Sequence, residues 1–144
     1  MIQIHFFTED IQYRLRDIRK IRLWISDAII KEGGELENIN FILTSDTFLH
    51  NINLEYLSHD TLTDIITFEY NEENEAILSD IYISLERCRE NAKEFHVNLK
   101  DELHRILIHG TLHLLGYKDK SKPEKQIMTS KEDYYLSLRS EFQL

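Results

Sequence analysis

Apolar residues recur along this chain with two different periods, and the switches between them outline its elements. Ile2, Ile4 and Phe6 alternate with their neighbours, the period-two pattern of a short strand. Over residues 12–32 the spacing becomes helical, with Leu15, Ile18, Ile21, Ile25 and Ile29 along one stripe, and Gly33-Gly34 supplies a stop. Residues 40–44 form a short apolar run suited to a buried strand. Ser45 or Asp46 is placed to cap a helix that runs to Tyr56. Segments 64–70 and 76–84 read as two strands joined by the acidic stretch Asn71-Glu72-Glu73-Asn74-Glu75, for which a hairpin is the simplest connection. Three helical patterns follow: 85–95, 99–115 with Asn98 as N-cap, and 123–142 with Pro123 at its start.

The order β, α, β, α, β, β and then three helices predicts an α+β fold. One domain spanning 1–144 would hold a small mixed four-stranded sheet covered by about five helices. Composition agrees: one Pro and four Gly in 144 residues suit long regular elements, and 42% hydrophobic with 30% charged residues excludes a disordered or fibrous chain. Seventeen Lys and Arg against 26 Asp and Glu give a net charge of −9, so a polyanion must be met by a local basic patch. The single cysteine, Cys88, cannot form an internal disulfide. The opening residues lack a signal-peptide pattern, and no run of 18 apolar residues occurs, so a soluble cytoplasmic protein with no membrane association is expected.

Of seven histidines, His5, His50, His59, His96 and His104 have no partner at ligand spacing and read as surface or core side chains. His109 and His113 differ. Four residues apart, they share one helix face one turn apart, an arrangement that can bring two imidazoles to one metal ion. Ile106, Leu107, Ile108, Leu112, Leu114 and Leu115 make that helix apolar nearly all round, so it should be buried, and each ring nitrogen then needs a partner. Two hydrogen-bonded core histidines are the alternative. Beyond Gly116 the chain turns through Tyr117 and Lys118 to Asp119, which a returning loop could deliver as a third ligand. Gly110 follows the first histidine where a zinc protease of the H-E-x-x-H type has its glutamate, which disfavours that chemistry. A mid-helix glycine also implies a close approach there, by a packed neighbour or by substrate.

The run His109-Gly110-Thr111-Leu112-His113-Leu114-Leu115-Gly116-Tyr117-Lys118-Asp119 resembles the H-G-x-L-H-L-x-G-Y-D-H signature of the YbeY family, bacterial metal-dependent endoribonucleases of ribosomal RNA maturation. Asn53-Leu54-Glu55-Tyr56, Thr63-Asp64-Ile65-Ile66-Thr67-Phe68 and Ser79-Asp80-Ile81 are similar to further family segments, and Glu124, Met128 and Glu132 to its last helix. The resemblance covers nearly the whole chain. It implies one zinc ion, with iron, manganese or nickel as alternatives, held by His109, His113 and Asp119, with His109 also serving catalysis. It further implies single-stranded ribosomal RNA as substrate, and the ribosome or a small-subunit precursor as partner.

Two departures stand out. Asp119 occupies the position of the family's third histidine, with Lys118 in place of an aspartate. Leu57 stands where the family commonly carries an arginine thought to contact RNA. Cations for RNA are sought elsewhere. The first helix carries Arg14, Arg16, Arg19, Lys20 and Arg22 against Asp17 alone, and Lys118 and Lys120 flank Asp119; a solvated surface is the alternative for both groups. Arg14, Arg19, Lys118 and Lys120 are the RNA-contact candidates. Asp64 and Asp80 are candidates to support the histidine rings or to orient a nucleophile, with turn capping as the alternative. The expected chemistry is metal-assisted phosphodiester cleavage, by water or by a ribose hydroxyl. The rivals are a non-catalytic ribosome-assembly factor with a structural metal, and a phosphohydrolase suggested by His59-Asp60. The latter type needs further helical histidines that the sequence lacks.

Overall fold

A computed structural model describes residues 1–58 and 63–144; His59-Asp60 lies outside the described residues. The elements are β1 (Ile4–Glu9), α1 (Ile18–Lys31), β2 (Leu36–Thr44), α2 (Asp46–Leu57), β3 (Ile65–Glu69), β4 (Ile77–Ser84), α3 (Leu85–Glu94), α4 (Leu99–Leu114), α5 (Lys122–Ser137) and a terminal 3-10 turn (Leu138–Phe142). The strands form one sheet in the order β1-β2-β4-β3. β1, β2 and β4 run parallel, and β3 pairs antiparallel with β4 as the expected hairpin. No described helix is long and apolar enough to cross a membrane.

Strand alternation gives the sheet two different faces. Register aligns Ile4, Ile39 and Ser79 on one face, with Phe41, Ile81 and Ile83 beyond them. That face and the buried residues of α1 and α4 form the main core around Trp24. Trp24 donates its indole N–H to the Tyr135 carbonyl of α5 at 2.8 Å, so its one polar atom is satisfied inside. The other face carries Leu78, Asp80 and Tyr82 on β4, and α2 covers part of it through Leu49 and Ile52 packed on Ile66.

Four of the five helices begin where a short polar side chain accepts a backbone N–H: Ser45, Ser84, Asn98 and Ser121, the last in a reciprocal box with Glu124. Helix α1 departs from expectation. It starts at Ile18, six residues later than the apolar spacing predicts, because Asp17 is left-handed (φ +59°) and offers no side-chain cap. Leu15 still packs on the core, but from the irregular segment before the helix, so the stripe continued while the helix did not. The last helix likewise ends at Ser137 and tightens into the 3-10 turn, which returns Phe142 and Leu144 to the core.

Gly110 reports how closely α4 lies on the sheet. A Cβ there would stand 2.9 Å from the Ile65 Cδ1 and 3.3 Å from the Ile81 Cδ1, so a packed neighbour and not a ligand explains the glycine. Gly110→Ala gains roughly 1 kcal/mol of helix propensity and displaces only side-chain tips, so it should be near neutral. Gly110→Val should cost about 1–3 kcal/mol by overpacking, read by chemical denaturation.

Candidate metal centre

Helix α4 carries His109 and His113 on the stripe that also holds Arg105, each one turn from the next. The two imidazole centroids are 5.8 Å apart with a 34° tilt. Each ring is gripped at Nδ1. His109 Nδ1 meets Oε2 of Glu132 on α5 at 2.6 Å, and His113 Nδ1 meets the Tyr117 carbonyl oxygen at 2.7 Å. A carboxylate and a carbonyl can only accept, so both Nδ1 atoms carry the hydrogen and donate it. The Nε2 atoms are thereby left to face other partners, and that of His109 lies 3.3 Å from Oδ2 of Asp119.

The loop that presents Asp119 is built for its position. Gly116 adopts φ +101° past the end of α4, which lets the chain double back. The Tyr117 hydroxyl then donates to Oε1 of Glu32 at 2.5 Å, at the end of α1. Glu32 also accepts from Tyr135 and, at 3.1 Å, from Lys131. Burial alone would raise the Glu32 pKa, but these three donors outweigh it and hold the carboxyl below its ordinary range. One residue therefore fixes His113 by its carbonyl while its own hydroxyl is anchored to Glu32, which α5 holds in turn.

Electrostatics around His109 are dominated by acids. Burial disfavours its imidazolium, yet the Glu132 hydrogen bond and the charges of Glu132, Asp119 and Asp64 overcome this and raise its pKa above the ordinary value. Asp64, half-buried just before β3, is pushed up mainly by desolvation, with partial relief from His109, so it belongs to the same electrostatic neighbourhood. Buried His104 shows the opposite behaviour. Desolvation first, then Arg139, pushes it down to about 4, and it serves as a core acceptor for the Arg139 guanidinium at 2.9 Å.

Among the described residues, no group of three His, Cys, Asp or Glu side chains stands assembled as a metal cage. The donor chemistry nevertheless fits a transition-metal ion: two imidazoles with Nδ1–H held by acceptors and an aspartate against one of the free edges.

The other expected residues divide. Lys118 lines a cleft of about 680 Å³ beside His113, and Lys120 is exposed next to Asp119. Asp80 is on the sheet face opposite α4, where it accepts from Asn40 at 2.9 Å and from the Tyr70 hydroxyl at 2.8 Å; strand alternation turns it away from both histidines. Arg14 lines a larger groove, about 1290 Å³, on that same far side. Arg19 lies in the first turn of α1, while Glu32 at the helix's other end reaches Tyr117, so roughly 20 Å of helix separates the two ends. The structure does not bring either arginine to the histidines. Leu57 is the exposed last residue of α2. Spacing arguments missed Arg105 and Glu32, and the family resemblance set Glu132 in the last helix without giving it a role. A usable signal existed for Glu132, a charge at a buried position between Met128 and Tyr135.

An α+β domain with paired imidazoles on a core helix and a carboxylate on the following loop defines the class, and comparison with known proteins defines the family. The family model described as Endoribonuclease YbeY matches residues 3–139. A protein of Cytophaga hutchinsonii named Endoribonuclease YbeY is 48% identical over 136 residues, 94% of this chain and 95% of that protein. Its namesake in Amoebophilus asiaticus is 47% identical over 133 residues, covering 92% and 90%. The solution structure of TM1509 from Thermotoga maritima superposes with a TM-score of 0.67 at 26% identity, over 95% of this chain and 89% of that one. The chain belongs to the YbeY endoribonuclease family.

A raised His109 pKa fixes the sign of one pH effect. Protonation of His109 stabilises the metal-free fold, fully below the unfolded value of 6.5, and that contribution is lost as the pH rises through the higher folded value. Thermal unfolding with chelator from about pH 6 to about pH 9 should show the wild type losing stability relative to His109→Gln. A difference that grows with pH would contradict the charge assignment.

Proposed function

We propose that this protein is a metal-dependent endoribonuclease that cleaves single-stranded RNA in ribosomal RNA processing, including maturation of the small-subunit 3′ end, and in ribosome quality control. It acts in the cytoplasm on the ribosome or a small-subunit precursor. Family membership supports the reaction class. The observation that carries the reading to particular atoms is the pair of donated Nδ1–H bonds, which leaves Nε2 of each neutral ring with its lone pair, that of His109 lying 3.3 Å from Asp119.

His109, His113 and Asp119 would hold the ion, for which zinc suits the donor set and iron, manganese or nickel are alternatives. Bound there, a divalent metal supplies Lewis-acid stabilisation of the charge that develops on phosphoryl oxygens during cleavage. The protein's part is positional. Glu132 and the Tyr117 carbonyl keep the rings oriented, and the Glu32 anchor keeps the loop from drifting. Lys118 and Lys120 add positive charge beside Asp119 in an otherwise acidic chain, where a phosphate can be met. Asp64 lies within electrostatic reach of His109 and is the carboxylate available to orient an attacking hydroxyl.

Purified wild type should bind about one zinc per chain and cleave unstructured RNA, whereas folded His113→Ala should lose at least tenfold in zinc affinity and in cleavage. Metal retained by the wild type with no cleavage by rigorously purified protein would favour the assembly-factor reading. Metal and cleavage both unchanged in His113→Ala would overturn the ligand assignment.

A further inference from the structure

The most enclosed charge next to the histidines comes from the last helix, not from α4 or its loop. Glu132 has a side chain only 9% exposed, and both its oxygens are engaged in different directions. Oε1 accepts from Arg105 Nη1 at 2.8 Å, and Oε2 accepts from His109 Nδ1 at 2.6 Å. Arg105 in turn spans two acids of α5, giving its Nη2 to Asp133 Oδ1 at 2.7 Å.

We propose that Glu132, braced by Arg105, is a positioning residue for metal binding: it fixes the tautomer and the orientation of the His109 ring. The inference rests on the metal reading given above. A simple clamp between α4 and α5 would need only the Arg105 ion pair with Glu132 and Asp133. It would not need the second carboxylate oxygen to be aimed at a ring nitrogen.

A carboxylate this enclosed is costly unless every lone-pair direction that matters is answered. Here the guanidinium answers one oxygen and the ring N–H the other, so the carboxylate cannot turn without losing one of them. The imidazole is equally constrained. With Nδ1–H donated to Glu132, the neutral ring carries its lone pair on Nε2, the atom that faces Asp119. Without Glu132 the ring is free to adopt the other tautomer, which places a hydrogen on Nε2 and blocks it as a ligand. The anion also makes the imidazole a stronger donor, as carboxylates behind metal-bound histidines do.

The test uses the full metal-free chain, with zinc ion alone as the probe. Zinc affinity is read by calorimetry, and the His109 tautomer by nitrogen NMR at about pH 9, where the neutral ring is favoured. Wild type should show the Nδ1–H tautomer. Glu132→Ala should lose that tautomer and bind zinc about 10–100-fold more weakly. Glu132→Gln, whose amide oxygen can still accept, should keep the tautomer with an intermediate loss of affinity, so it decides the matter if the alanine variant does not fold. Asp133→Asn, which touches Arg105 but not the ring, should bind zinc as the wild type does. A folded Glu132 variant with wild-type zinc affinity overturns the inference. A wild type that binds no zinc instead overturns the metal reading. The tautomer comparison then decides positioning alone: loss of Nδ1–H in Glu132→Ala supports it, and an unchanged ring refutes it.

Discussion

A half-buried imidazole has two nitrogens to satisfy, and two such rings on one core helix set the terms for everything around them. Helix α4 cannot move away to solvate them, because Gly110 seats it directly on Ile65 and Ile81. Each ring must therefore find an acceptor on one side and a compatible partner on the other. The acceptors come from two different places, α5 and the loop after α4. That requirement ties the parts of the fold together. Ser121 and Glu124 cap α5 so that Glu132 arrives beside His109, and Gly116 turns the chain so that Tyr117 and Asp119 arrive beside the rings. The end of α1 then holds Tyr117 in place through Glu32.

Charge adds a second constraint, on what can approach. The cleft beside His113 is walled by Glu69, Glu72, Glu73 and Glu75, and a phosphate chain entering there meets like charge within the roughly 8 Å over which physiological salt leaves fields unscreened. Lys118 and Lys120 flank Asp119 on its loop and set two positive charges against those acids. The arginine-rich segment that leads into α1 faces a different problem. Arg14 opens onto the far face of the sheet, which makes its charge independent of the histidine site.

Much of the fold was legible because caps and periods agreed. Ser45, Ser84 and Asn98 each sit where an apolar run changes period, and the acidic turn between β3 and β4 separates two alternating runs. The start of α1 was not legible, since Leu15 obeys the helical stripe while packing from an irregular segment, and the left-handed Asp17 leaves no mark on hydrophobic spacing. The histidine pair and Asp119 could be read from spacing and family resemblance, as local features on one helix and its loop. Asp80 could not be assigned a face without knowing the strand register, which turns it toward Asn40 and Tyr70. The roles of the supporting residues were hidden for a different reason. Glu132 and Glu32 are distant in sequence from the rings and loop they hold, and only the packing of three helices brings them together.

The central claim is that His109 and His113 present Nε2 toward one ion shared with Asp119. Anomalous diffraction from zinc-soaked crystals tests it most directly. The account predicts a single strong peak bonded to His109 Nε2, His113 Nε2 and the Asp119 carboxylate, with Glu132 and the Tyr117 carbonyl still holding the two Nδ1 atoms. A peak elsewhere on the chain, or at this site with either ring bonded through Nδ1, would contradict it.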